Sequence, residues 1–274
     1  MNPLIRFSTL ALLACVSVGL AGPGCRKETA AADAPGAPPT ELMIAAAADL
    51  KFALDTLIRE FQSQHPEIQP SITYGSSGNF HAQIQNGAPF DLYLSADAEY
   101  PQKLAGEGLA LDDHTFLYAI GRIVVWVPES SPIDVGKLGI DSLFAPSVRQ
   151  IAIANPQHAP YGKAAVAAMK SLGVFEKARP HLVLGENIAQ AAQFVQSGAA
   201  DIGVIALSLA LAPEMKAPGR YWEIPPDSYP KMEQGGMILK LTAKAAEARV
   251  FRDFLVSDHG LAVLKQYGFF LPYN

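Results

Sequence analysis

From Leu42 onward, short continuous apolar runs alternate with stretches whose apolar residues recur every three or four positions. The first pattern reads as a buried strand and the second as one face of a helix. Residues 42–47 form such a run, and it leads into Leu50, Ala53, Leu54, Leu57, Ile58 and Phe61 at helical spacing, with Asp49 standing where an N-cap belongs. Further strands are predicted at 68–74, 90–95, 122–127, 150–154, 181–184, 202–206 and 237–241. Helices are expected after Gly75-Ser76-Ser77-Gly78, where Phe80 and Ile84 would be buried and Gly87 would end the helix, and over 162–172 and 188–196. Two final helices carry Val250, Phe251, Phe254 and Leu255, then Leu261 and Leu264, and their aromatic residues read as core. The Pro-rich, polar stretch 217–234 reads as an irregular return of the chain.

Strands alternating with helices predict an α/β fold with mainly parallel sheets. One α/β half is followed by a second, and the final strand and helices need a sheet to pack on. The economical arrangement is two lobes joined by two crossovers: 41–121 with 232–274 in lobe 1, and 122–231 in lobe 2. Ligands of such sheets bind beyond the C-terminal ends of the strands, where turns enter helices.

The first residues, with one arginine ahead of the apolar run 7–21 and then Gly22-Pro23-Gly24-Cys25, have the layout of an export signal over 1–24. The run is short for a spanning helix, which needs ~20 apolar residues. Of the two cysteines, Cys15 lies inside the signal, so only Cys25 survives cleavage before it and no intramolecular disulfide can form. A cysteine at the boundary followed by a polar, Pro/Ala-rich tether over 25–40 resembles a bacterial lipoprotein, although Gly22 and Pro23 depart from the usual signal. A lipid anchor at Cys25 and ordinary cleavage both stay open, and either puts the chain in the periplasm.

Half of the residues are hydrophobic and 17% are charged, ample for a core and far from a disordered composition. The net charge of −5 becomes −6 once 1–24 is removed, since that segment carries one arginine and no acid. Without a basic surplus, nucleic acid is not an expected partner. The chain has no G-x-G-x-x-G, Walker A or G-x-S-x-G sequence, and its six histidines share no metal-ligand spacing.

One device does repeat: a strand, a short polar or glycine-bearing turn, and a helix N-terminus. It occurs at Ala47-Ala48-Asp49, Gly75 to Gly78, Ala159-Pro160-Tyr161-Gly162 and Gly185-Glu186-Asn187-Ile188. Free N–H groups and the positive end of the helix dipole could hold an anion at each without a lysine or arginine. Ordinary caps and turns would leave the same trace.

Several of these segments are similar to the molybdate-binding proteins of bacterial ABC importers. They are Ile44-Ala-Ala-Ala-Ala-Asp-Leu50, Tyr74-Gly-Ser-Ser-Gly-Asn79, Gly87-Ala-Pro-Phe-Asp-Leu-Tyr-Leu-Ser-Ala-Asp97, Asn155-Pro156 with Ala159-Pro-Tyr-Gly162, Gly185-Glu-Asn-Ile188 and Gln266-Tyr-Gly-Phe269. The resemblance implies a two-lobed type II periplasmic binding protein without catalytic activity, which captures molybdate or tungstate and delivers it to an ABC permease of the inner membrane. No cofactor is expected, the protein is expected to be a monomer, and the membrane would be met only through Cys25. By position, the oxyanion would be held by the Ala48-Asp49 turn, the Ser77 hydroxyl and N–H, the Tyr161 turn and the Ile188 N–H, with no residue touching the metal itself. A tyrosine that many members carry near the end of the 202–206 strand is replaced here by Ala206, and Tyr161 could take its place.

Asp49 departs from the family, which commonly offers Ser, Thr or Asn there, because an ionised carboxylate would repel a dianion. Asp49 could point away and only cap its helix, or be neutralised by Lys51 or Lys163, or accept a proton from an oxyanion such as hydrogen phosphate or arsenate. Two other classes compete: a secreted hydrolase using Asp49, Asp97 or Asp201, and a ferric-ion carrier, for which the usual adjacent tyrosines are missing.

Overall fold

In the computed structural model of the chain, residues 38–215 and 218–272 are described. The expected export signal, Cys25 and most of the expected tether lie outside the described residues. Among the described residues, ten strands form two five-stranded sheets. The first contains β1 (Thr40–Ala47), β2 (Ile68–Gly75), β3 (Leu92–Ser95), β4 (Ala110–Gly121) and β10 (Met232–Leu239) in the order β2-β1-β3-β10-β4. The second contains β5 (Ile123–Pro128), β6 (Ile151–Ala154), β7 (Leu182–Gly185), β8 (Ile202–Ala206) and β9 (Gly219–Glu223) in the order β7-β6-β8-β5-β9. The chain passes from the first sheet to the second between Gly121 and Ile123, and returns between β9 and β10.

In each sheet three strands run parallel: β1 pairs with β2 and β3, and β6 with β7 and β8. β10 is antiparallel to β3 and β4, and β5 to β8 and β9. Each sheet is thus a parallel core joined by helical crossovers, with antiparallel strands added where the chain changes sheet. The expected α/β class is the observed one.

Helical periodicity places the flanking helices. Helix Lys51–Gln64 buries Ala53, Leu54, Leu57 and Phe61, and these share a cluster with Phe251, Leu255, Val263 and Leu264 of the last two helices. Phe61 meets Phe251 edge to face, with centroids 5.0 Å apart. Burying each such side chain stabilises the fold by ~1.5–3 kcal/mol. Ser257 caps the final helix, Asp258–Gln266, by accepting the Gly260 N–H at 3.1 Å.

The chain differs from the sequence expectation at three places in the sheets. β4 and β9 carry no clean alternation, because β4 is broken by Asp112 and Asp113 in the left-handed region (φ 56° and 52°) and both lie at sheet edges. β10 begins at Met232, inside the stretch expected to be irregular, and carries Gly235-Gly236 through the sheet. A Cβ on Gly236 would lie 2.6 Å from the Phe116 ring and 2.8 Å from the Tyr93 carbonyl, so this glycine serves close packing rather than a turn.

Candidate functional site

Four of the parallel strands, β1 and β2 of the first sheet and β6 and β7 of the second, end on the turns that the sequence analysis singled out. Ala48 opens the short 3-10 turn Ala48–Leu50 that precedes helix Lys51–Gln64, and Ser77 is the first residue of helix Ser77–Gln85. Tyr161 is the second residue of helix Pro160–Ser171, and Ile188 the first of helix Ile188–Gln196. Proline at the start of the third helix and Asn187 as cap of the fourth, accepting the Gln190 N–H at 3.0 Å, explain why the helices begin there.

These four N-termini face one small cavity of about 10 Å³, whose wall contains Ala48, Asp49, Ser77, Tyr161 and Ile188 together. Ser76, Ala96, Ala159, Pro160 and Asn187 also contribute to it. Sites for drug-sized ligands run to ~300–1,000 Å³, whereas this one has room for about one water, so an ion would enter only with the turns parted. All five predicted site residues are at most 3% exposed. The leading N–H groups of a helix have no partner within it, and four dipoles point their positive ends inward. Ser77 Oγ accepts the Ala96 N–H at 3.0 Å, and its own proton is given to no protein acceptor among the described residues. That proton is free for a ligand oxygen.

Asp49 is where the site departs from a purely neutral one. Ala47, not Asp49, occupies the cap position, and no side chain caps the turn. Asp49 lies inside the turn, so the expected capping role is replaced by contacts elsewhere. Its Oδ2 accepts the Tyr161 hydroxyl at 2.9 Å and the Gln234 Nε2–H at 2.6 Å, and Gln234 also donates to the Tyr161 oxygen at 3.0 Å. Oδ1 has no hydrogen-bond partner among the described residues. Neutralisation by a lysine does not occur either: Lys51 pairs with Asp55 at 3.3 Å and Lys163 donates to Tyr100 at 2.9 Å. Burial pushes the Asp49 carboxyl up to about 6, against the opposing pull of the Gln234 and Tyr161 hydrogen bonds and of the backbone N–H groups of Asp49 and Leu50. Burial and the Asp49 charge hold the Tyr161 hydroxyl well above its ordinary value.

Because the Tyr161 hydroxyl is committed to Asp49, it does not replace the tyrosine missing at Ala206, which ends β8 fully buried. Gln234 escaped the sequence reading because its segment looked irregular. It is fully buried, and the Gln-Gly-Gly break within the apolar β10 is its only trace in the sequence. Gly121, at the first crossover, lies against the same cluster: a Cβ there would come 2.5 Å from the Tyr161 hydroxyl and 2.8 Å from Gln234 Nε2.

Further contacts join the two sheets' turns beside the cavity. Gly78 N–H donates to the His158 carbonyl at 2.9 Å, and Ser76 Oγ pairs with His158 Nδ1 at 2.8 Å. Asn79 donates to Glu186, and Ser208 Oγ donates to the Asp49 carbonyl at 2.9 Å. Asp97 and Asp201 lie in structural roles: Asp97 accepts the Glu99 N–H, and Asp201 accepts the backbone N–H groups of Arg149 and Gln150. Among the described residues no three His, Cys, Asp or Glu side chains gather in a metal-binding cluster.

The family model for bacterial extracellular solute-binding proteins matches residues 42–270. The chain belongs to this family. Among its relatives, this solute-binding protein is 37% identical over 201 residues to the molybdate-binding protein ModA of Rhodobacter capsulatus, covering 73% of the chain and 77% of the relative. It is 31% identical over 229 residues to a putative ABC transporter substrate-binding lipoprotein, YvgL, of Bacillus subtilis, covering 83% and 85%. The solved structure of the periplasmic molybdate-binding protein of Azotobacter vinelandii superposes with a TM-score of 0.78 at 35% identity, over 84% of this chain and 99% of that one. Solute-binding proteins are transport components rather than enzymes, so the hydrolase reading falls away.

Proposed function

We propose that this solute-binding protein captures molybdate or tungstate in the cavity between its two sheets and delivers it to an ABC permease of the inner membrane. The convergence of four helix N-termini, two from each sheet, on one small cavity carries this reading. The N–H groups at Ala48, Asp49, Ser77, Tyr161 and Ile188, with the Ser77 hydroxyl, would hold the oxyanion, and charge-assisted hydrogen bonds of this kind are roughly twice as strong as neutral ones. The relatives named for molybdate support the choice of ion. The two sheets would move as lobes, hinged where the chain crosses near 121–122 and 231–232. The expected export signal and the periplasmic relative support a periplasmic location, and the lipoprotein among the relatives supports an anchor at Cys25.

A protonated oxyanion such as hydrogen phosphate or arsenate is the second reading, favoured by the unpartnered Oδ1 of Asp49 in the cavity wall. Isothermal titration with molybdate, tungstate, sulfate and phosphate separates the two. Tight molybdate binding with no phosphate heat is expected, and the reverse overturns the molybdate assignment.

A further inference from the structure

We infer that Asp49 takes up a proton from solvent when a dianion enters the cavity, so that capture of the ion is coupled to neutralisation of this carboxyl. The inference rests on the oxyanion reading given above and adds to it a pH dependence of the same site.

Three observations carry it. Asp49 is 1% exposed and forms part of the wall of a cavity whose other lining groups are neutral. No Lys, Arg or His lies within 4.0 Å of its carboxylate among the described residues, and the two lysines nearest in sequence to the site's helices are engaged elsewhere. Oδ1 lacks a hydrogen-bond partner, while Oδ2 already holds two donors. A carboxylate so placed can stay ionised while the cavity is empty, because Tyr161 and Gln234 support its charge. A dianion in the same small cavity removes water and adds a like charge, and both effects favour the protonated form.

The groups facing Asp49 cannot answer this charge in its place. Tyr161 from helix Pro160–Ser171 and Tyr118 from β4 are both held far above their ordinary pKa by burial and by the Asp49 charge itself, so neither carries a charge. Gln234 from β10 and the Ser208 hydroxyl do not titrate. The proton therefore goes to Oδ1, the free oxygen, and bulk water or buffer supplies it. Burial raises the carboxyl only to about 6, so it is mostly ionised at neutral pH and available to take that proton.

A proton can come with the ligand, as hydrogen phosphate, or from solvent to Asp49. Only the second lets a fully deprotonated dianion bind here.

Calorimetric titration of the processed protein with molybdate near neutral pH, in buffers of different ionisation heat, measures the proton directly. Uptake approaching one proton per molybdate is expected, and Kd should rise by up to tenfold per pH unit as pH goes from about 7 to 8.5. Asp49→Asn should remove both the uptake and the pH dependence. Molybdate binding with a buffer-independent heat and a flat Kd overturns the inference and leaves the oxyanion reading intact, as does uptake that persists in D49N. Absence of molybdate heat alongside tight phosphate binding overturns both. Should D49N fail to fold, the buffer series on the wild-type protein decides alone.

Discussion

Tyr161 donates its hydroxyl to Asp49 Oδ2 at 2.9 Å, a bond that spans 112 positions of sequence and joins the turn after β1 to the helix after β6. Gln234 closes the group from β10, and Gly121 at the first crossover leaves room for it. The cavity floor and the two places where the chain changes sheet are therefore one connected structure. A change at any of these residues is felt both in stability and in how the sheets' turns meet around a ligand.

Tyr161→Phe removes one of the two donors to Asp49. The expected loss is about 1.5–3 kcal/mol of folding stability at neutral pH, as for a hydrogen bond to a charged group. The Asp49 pKa should rise further, since the lost bond favoured the ionised form. Urea unfolding at two pH values reads the first effect, and NMR titration of the carboxyl reads the second.

Asp49 also sets a pH dependence of folding. Its folded pKa is raised from the ordinary 3.8 to about 6, so between those values the folded state binds more protons than the unfolded one. This group's contribution is then fully favourable below about 4 and is lost as pH rises through 6, by an order of about 3 kcal/mol. Asp49→Asn lacks that titration. It should be more stable than the wild type at pH 7 and lose the advantage at pH 4, and equal midpoints across the range would contradict the raised pKa.

Gly78→Ala tests the contact between the helix after β2 and the turn after β6. The added Cβ would sit 2.5 Å from the His158 carbonyl oxygen and 3.0 Å from the Tyr100 hydroxyl. Such overpacking costs typically ~1–3 kcal/mol. Here it should be relieved by parting the two turns, so molybdate affinity should fall about tenfold or more while the unfolding midpoint changes less. An unchanged Kd would remove this contact from the closed arrangement.

Ser77→Ala deletes the one side-chain hydroxyl whose proton is free in the cavity wall. Molybdate binding should weaken by about 1.5–3 kcal/mol, measured calorimetrically, and folding stability should fall by about 1–3 kcal/mol because the buried Ala96 N–H loses its acceptor.

Asp91 offers the opposite case, because it lies outside the cavity. It accepts the Met43 N–H at 2.7 Å, the Thr242 hydroxyl at 2.6 Å and Lys244 Nζ at 3.0 Å, tying β1 to the segment after β10. Asp91→Ala leaves a partly buried lysine and a backbone N–H unpaired, and should cost about 3–5 kcal/mol. Protein that remains folded should bind molybdate with wild-type affinity.

Most of the parallel strands and their helices were legible in the sequence, because a strand buried on both faces is a continuous apolar run and each crossover helix shows its buried stripe. Leu50, Leu54, Leu57 and Phe61 are one such stripe. β4 and β9 were not legible, since Asp112 and Asp113 interrupt β4 and β9 is a short, half-buried strand with no apolar run. β10 was hidden by its own glycines, which look like a turn until Phe116 and Tyr93 are seen pressed against them. Ala48, Ser77, Tyr161 and Ile188 were legible as a candidate site because each follows an apolar run at the start of a helix, a local signal.

The sequence by itself determined the α/β class, the four turn-to-helix junctions and the surplus of acidic over basic residues, all properties of neighbours along the chain. Only the tertiary structure decided what Asp49 does. A carboxylate one residue into a turn reads as a helix cap, and nothing local says otherwise. Its actual partners, Tyr161 and Gln234, lie 112 and 185 positions away and reach it only because the chain crosses between the sheets twice. The charge of that one group, set by burial and by donors brought from both sheets, is a property of the folded assembly and of no segment within it.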